Sequence, residues 1–141
     1  MSSLPTQYPT NHPSDPNAKM PIEWHVAVAA AEATQVQQQL DQADPGGDVR
    51  SRHHAAYLEQ KLADVRGLRD MLTWRAAAEG ITLRRLIGEL AERHNVPGAG
   101  AAEALRGHIT VEQLDDTITE PIVATISTHL AQWRQAHVQD R

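Results

Sequence analysis

Cysteine is absent from the chain, and with it go disulfide frameworks, thiolate zinc sites and cysteine nucleophiles. Phenylalanine is absent as well, and three Trp with two Tyr make up the whole aromatic content. A core drawn from this inventory is aliphatic with a few large anchors, and alanine supplies much of the 40% apolar fraction. Helices packed closely through Ala, Leu, Ile and Val suit it. Long apolar runs are also missing. The longest, residues 26–31, falls far short of the ~20 residues that cross a bilayer as a helix. The first residues lack the basic-then-apolar pattern of a secretory signal, and the expected location is the cytoplasm.

What charge there is lies unevenly. The net charge is −5 over 141 residues, which disfavours non-specific binding to a polyanion. Residues 66–108 nevertheless hold seven Arg against five acids, whereas the segments on either side are acidic. This basic stretch is either a nucleic-acid surface or an ordinary solvated helix face.

Residues 1–21 contain five of the eight prolines and little apolar material. They bury too little to offset the entropy of ordering, so a disordered tail is expected there. From Ile22 the pattern becomes helical. Ile22, Val26, Ala29, Ala33, Val36 and Leu40 alternate steps of four and three and fall on one face. Pro21 is compatible with the first turn, and "DPGGD" at 44–48 ends the helix and offers Asp48 as the next cap. A second helix is predicted from about 49 to 79, with Leu58, Leu62, Val65, Leu68, Leu72 and Ala76 as its apolar stripe. The short Gly-rich link makes residues 22–79 an antiparallel hairpin, or alternatively one half of a coiled-coil dimer.

Gly80 then serves as a stop and Thr82 as a cap. "TLRRLIGELAERHN" forms a helix with Leu83, Leu86, Ile87 and Leu90 inward, "NVPG" a turn, and a short Ala-rich helix follows. Thr110 and Gln113 have capping-box spacing, and a last helix with Ile122, Ile126, Leu130 and Trp133 on one side starts near Pro121. The fold class is all-α: a hairpin over 22–79, then a compact bundle over 80–141.

Residues 65–107 resemble the bacterial helix-turn-helix superfamily. The positions that carry the resemblance are Leu90 and Ala91 at its opening, Val96 after the turn, and Ala101 with Ala104 or Leu105 in the second helix. Ala91 is the small residue at a close helix crossing. The resemblance implies DNA binding, with the second helix in the major groove. Where the superfamily places Ser, Thr, Arg or Gln to meet base edges, this chain has Pro97, Gly98, Ala99, Gly100, Ala102 and Glu103. Gly and Ala offer no side-chain donors, so base readout is thin. Phosphate contacts would fall to Arg84, Arg85, Arg93 and Arg106, with Arg75 and His108 as helpers. The same arginines can instead form i,i+4 pairs, Arg85–Glu89 and Glu89–Arg93.

Other chemistry has little support in the sequence. Eight His include no HExxH or comparable ligand set, Asp115 and Asp116 do not converge as helix neighbours, and no phosphate loop follows a strand. No enzyme activity, metal or cofactor is expected. Trp24, Trp74 and Trp133 lie on or beside apolar faces, either as core anchors or as anchors of an interface. Two functions follow. One is a small dimeric DNA-binding regulator that grips phosphates through the arginines. The other is a helical adaptor that binds a protein and no DNA.

Overall fold

The computed structural model describes residues 20–137, so most of the tail expected over 1–21 lies outside the described residues. The described residues are all-helical, with five α-helices among them in the order α1 (Ile22–Gln42), α2 (Val49–Ala78), α3 (Leu83–Arg93), α4 (Gly98–Leu105) and α5 (Glu120–Ala136). A 3₁₀ turn at Glu112–Asp115 precedes α5.

Helix α1 is the centre of the molecule and packs on α2, α3 and α5 at once. Its buried residues therefore spread beyond the single expected stripe: Ala27 and Ala30 are enclosed along with Val26, Ala29, Ala33 and Val36. Pro21 stands just outside the helix in extended conformation, and its carbonyl accepts from the Trp24 amide at 3.0 Å. The hairpin link is held by Asp44, whose side chain accepts from the Gly46 amide at 3.1 Å. Asp48 caps α2 by accepting from the Ser51 amide at 2.8 Å, a bond that holds its carboxyl below the usual carboxylate range.

The stripe expected on α2 needs one correction. Leu58, Leu62, Val65 and Ala76 are buried, but Leu68 is 46% exposed. Thr73 is buried and Arg69 largely covered in its place, with Arg69 paired to Asp70 at 2.9 Å. The reason is angular: the two successive three-residue steps from 62 to 65 to 68 each turn the helix by ~300°, which leaves Leu68 about 100° from the centre of the buried face. The buried face follows 58, 62, 65, 69, 73, 76 and leaves Leu68 behind.

Gly80 ends the second helix connection with φ +83, a conformation that favours glycine. An isolated antiparallel bridge joins Thr82 to Thr117, with the Leu83 amide donating to Asp116 at 3.0 Å and the Ile118 amide to Ile81 at 3.2 Å. The bridge pins the start of α3 to the approach of α5. Thr82 precedes α3 in extended conformation but makes no side-chain capping bond. Thr110 and Gln113 do form the reciprocal box, with Thr110 N to Gln113 Oε1 at 2.7 Å and Gln113 N to Thr110 Oγ1 at 3.3 Å. It closes a 3₁₀ turn, however, and not a helix.

Two apolar cores result. The larger gathers Val26, Ala27 and Ala30 of α1 and Ala76 of α2 with Leu83, Leu86, Leu90, Ile118, Val123, Ile126 and Leu130. The smaller holds Ala33, Val36, Leu58, Leu62 and Val65 near the far end of the hairpin. The expected division between 79 and 80 thus passes through a shared core, because α1 serves both units.

One polar node lies among these helices. Ser127 of α5 is fully buried, and its Oγ is 2.7 Å from Thr34 Oγ1, 2.9 Å from His94 Nε2 and 3.2 Å from the Ala30 carbonyl. Thr34 Oγ1 donates to the same carbonyl at 3.0 Å. Each hydroxyl has one proton, so Thr34 and Ser127 share the Ala30 carbonyl and each other's oxygen between them, and His94 Nε2 closes the node on Ser127. Burial pushes the His94 pKa down from the ordinary histidine value, which favours the neutral imidazole. His25 and His129 shift in the same direction, burial again being the largest cause. A lowered histidine pKa means that the unfolded chain binds more protons than the folded one at mildly acidic pH. Stability is therefore complete above the unfolded value of about 6.5 and falls as pH drops through the lower folded values. Urea unfolding between about pH 7.5 and about pH 5 should show this decline, and His94→Gln should flatten part of it.

Candidate functional site

A short turn over 94–97 joins α3 to α4. Asn95 takes the left-handed conformation with φ +59, as its side chain tolerates. Leu90, Ala91, Val96, Ala101 and Leu105 are all buried, and Ala104 is half-buried. These are the positions on which the resemblance rests. His94, at the end of α3, turns its ring inward to Ser127, with Nε2 2.9 Å from the hydroxyl.

The arginines do not share a face. Arg84 pairs with Asp115 through Nη2 at 3.3 Å. Arg85 is bound not to Glu89 but to Glu23 of α1, whose carboxylate is 4% exposed as a residue. Arg93 points away, its guanidinium 5.8 Å from the centre of the Trp24 ring. On a helix, residues 84 and 93 lie about 180° apart. Arg106 is exposed beyond α4, and Arg75 is exposed on α2, which makes no packing contact with α3 or α4 among the described residues. His108 stacks on His129 of α5, with centroids 3.7 Å apart. Among the described residues no group of three His, Asp or Glu gathers that could hold a metal. The i,i+4 pairs expected for Arg85 and Arg93 with Glu89 are replaced by these contacts. Glu89 is left half-buried near Glu92 and Glu23, and burial with like charge raises its pKa.

The helix α4 owes its small residues to packing. A Cβ on Gly100 would come within 2.6 Å of the Trp133 ring, so the indole requires glycine there. Trp133 Nε1–H donates to Glu103, the one acid of α4, at 2.8 Å. Trp133 is half-buried and stacks on His137 at 3.9 Å, whereas Trp24 is half-buried beside His25 and Trp74 is 71% exposed.

What the outer faces of α3 and α4 form is an apolar groove of about 600 Å³. Arg84, Ile87, Gly88 and Ala91 line it from α3, a set spaced by three and four residues. Gly98, Ala101, Ala102 and Leu105 line it from α4 at the same spacing. Ile109, Val111 and Leu114 close the third side, and Arg84 and Arg106 are the only charged residues among the lining. The floor is low because small residues face each other. Nothing lies within 4 Å of a Cβ built on Gly88 or Gly98. The sequence reading overlooked this groove, although the signal was present in the small residues at 88 and 91 and again at 98, 101 and 102.

No protein-family model matches the chain, and comparisons with curated proteins and with solved structures find no match either. No helix among the described residues is long and apolar enough to cross a membrane.

The two glycines should respond oppositely to the same change. Gly100→Ala drives a methyl into Trp133 and is expected to destabilise by about 1–3 kcal/mol. Gly88→Ala meets open space within a helix and should stabilise by about 0.5–1 kcal/mol. Urea unfolding followed by circular dichroism measures both.

Proposed function

We propose that the chain is a non-enzymatic helical adaptor, acting in the cytoplasm, whose α3–α4 groove receives an amphipathic helical segment of a protein partner. The observation that carries this reading is the groove itself: apolar walls at helical spacing, a glycine and alanine floor, and one arginine towards either wall. A helix laid into a groove presents residues at steps of three and four, which matches the lining of both walls. The rim arginines select a segment that carries acids beside its apolar face, and Arg84 would exchange its exposed pairing with Asp115 for one of them at little cost.

The alternative of a DNA-binding regulator needs Arg84, Arg85, Arg93 and Arg106 on one surface. Arg84 and Arg106 rim the groove, Arg85 is bound to Glu23, and Arg93 lies on the opposite side of α3 over Trp24. The exposed part of α4 is Gly98, Ala99, Ala102, Glu103 and Arg106, which provides little that reads a base edge.

One titration separates the two. Isotope-labelled chain is mixed with a designed acidic amphipathic helical peptide, with its charge-reversed counterpart, and with a mixed-sequence DNA duplex. The adaptor reading expects the acidic peptide alone to shift the amides of Ile87, Gly88, Ala102 and Val111. Gly88→Leu, which fills the groove, should abolish that response, and Arg84→Ala with Arg106→Ala should weaken it about tenfold. Salt-sensitive binding of the duplex, lost in the same arginine variant, would sink the adaptor and restore the DNA reading.

A further inference from the structure

Among the described residues, five of the six large exposed hydrophobic side chains lie on α2. Tyr57, Leu68, Met71 and Trp74 are 60%, 46%, 50% and 71% exposed. They run from the flank of α2 to its back, from Leu68 about 60° beyond Val65 round to Trp74, outside the face that Leu58, Leu62 and Val65 turn to α1. This helix packs on α1 and α5 only, so its outer face has no cover from the rest of the chain as described. A single exposed Leu needs no explanation, but a row of large apolar side chains on one helix face marks an interaction surface.

The spacing and the charges on that face identify the occupant. Tyr57, Asp64 and Met71 recur at intervals of seven, and Lys61, Leu68 and Arg75 repeat the interval half a heptad out of step. The result is a seam of alternating three- and four-residue steps, the pattern by which two helices supercoil. A parallel, in-register pair of such helices would set Asp64 on Asp64 and Arg75 on Arg75. An antiparallel pair does the reverse. With its two-fold axis midway between Leu68 and Met71, Leu68 of each copy meets Met71 of the other, and the same register carries Asp64 onto Arg75. Asp64 and Arg75 are both exposed in the single chain, and Asp64 accepts from Gln60 Nε2 at 3.1 Å, an exposed bond that an ion pair can replace at little cost. They are eleven positions apart, about 16 Å along a helix, and the two symmetric ion pairs would bracket the apolar centre from either side. Trp74, next to this seam, closes over its flank.

We infer that the outer face of α2 binds a second copy of this chain, as an antiparallel two-helix interface centred on Leu68 and Met71 and set in direction by Asp64 and Arg75. The interface is isologous, which closes the assembly at two copies. It does not depend on the α3–α4 groove, because α2 touches neither α3 nor α4.

Sedimentation equilibrium of the full chain over a wide concentration range tests the inference, with circular dichroism to show that each variant is folded. The chain should be a dimer, and Leu68→Glu with Met71→Glu should make it a monomer of unchanged helix content. Asp64→Arg alone should weaken the dimer about tenfold, since the repulsion occurs twice by symmetry, and adding Arg75→Asp in the same chain should recover it. A chain that stays monomeric at every concentration overturns the inference. So does a dimer that survives the double Glu variant, or one that the charge exchange fails to recover.

Discussion

The spacing between α1 and its neighbours depends on alanine. Ala27, Ala29, Ala30 and Ala33 have almost no surface left exposed, and each presents only a methyl group to the helix beside it. Helix axes approach to the short end of the usual ~8–10 Å range only when the residues at the contact are small. Because α1 touches α2, α3 and α5 together, a larger side chain at these positions would push apart three contacts and not one. The polar node depends on the same closeness. Ser127 reaches the Ala30 carbonyl, and through it Thr34 and His94, because α5 lies against an alanine face. A chain with no Cys and no Phe thus gains its compactness from how little its central helix projects.

Much of this was legible in the sequence, for local reasons. Pro21, the "DPGGD" link, Gly80, Asn95 and Pro121 fix where helices begin and end through backbone preferences that need no tertiary partner. The box between Thr110 and Gln113 was legible too, although its geometry does not say how long the following turn will be. What escaped was long-range. Leu68 follows Val65 at a helical step of three, but two such steps in a row carry it off the face that α1 covers. Arg85 was expected to find an acid four residues away, but Glu23 is 62 positions earlier and becomes a neighbour only once α1 lies across α3.

The candidate site escaped for a different reason. A reading that looks for chemistry attends to side chains that do something, and the groove is made by residues that have almost none. Gly98, Gly100 and the alanines of α4 first read as the loss of a DNA-reading helix. In the fold they divide into two sets with opposite surroundings: Gly100 is filled by Trp133, and Gly98 faces open space. The same residue type makes a contact in one place and a hollow in the other, and nothing in the local sequence distinguishes them.

The separation of the two cores has a consequence for how the molecule comes apart. The smaller one, at the far end of the hairpin, rests on five buried side chains, with Leu40 and Ala43 against them. The remaining helices contribute nothing to it. Its boundary with the larger core runs across α1 between Ala30 and Ala33, within a single turn of helix. The tip of the hairpin can therefore splay open as its own cooperative unit while α3, α4 and α5 stay closed around the base of α1. Stability in this chain is layered by distance from that base.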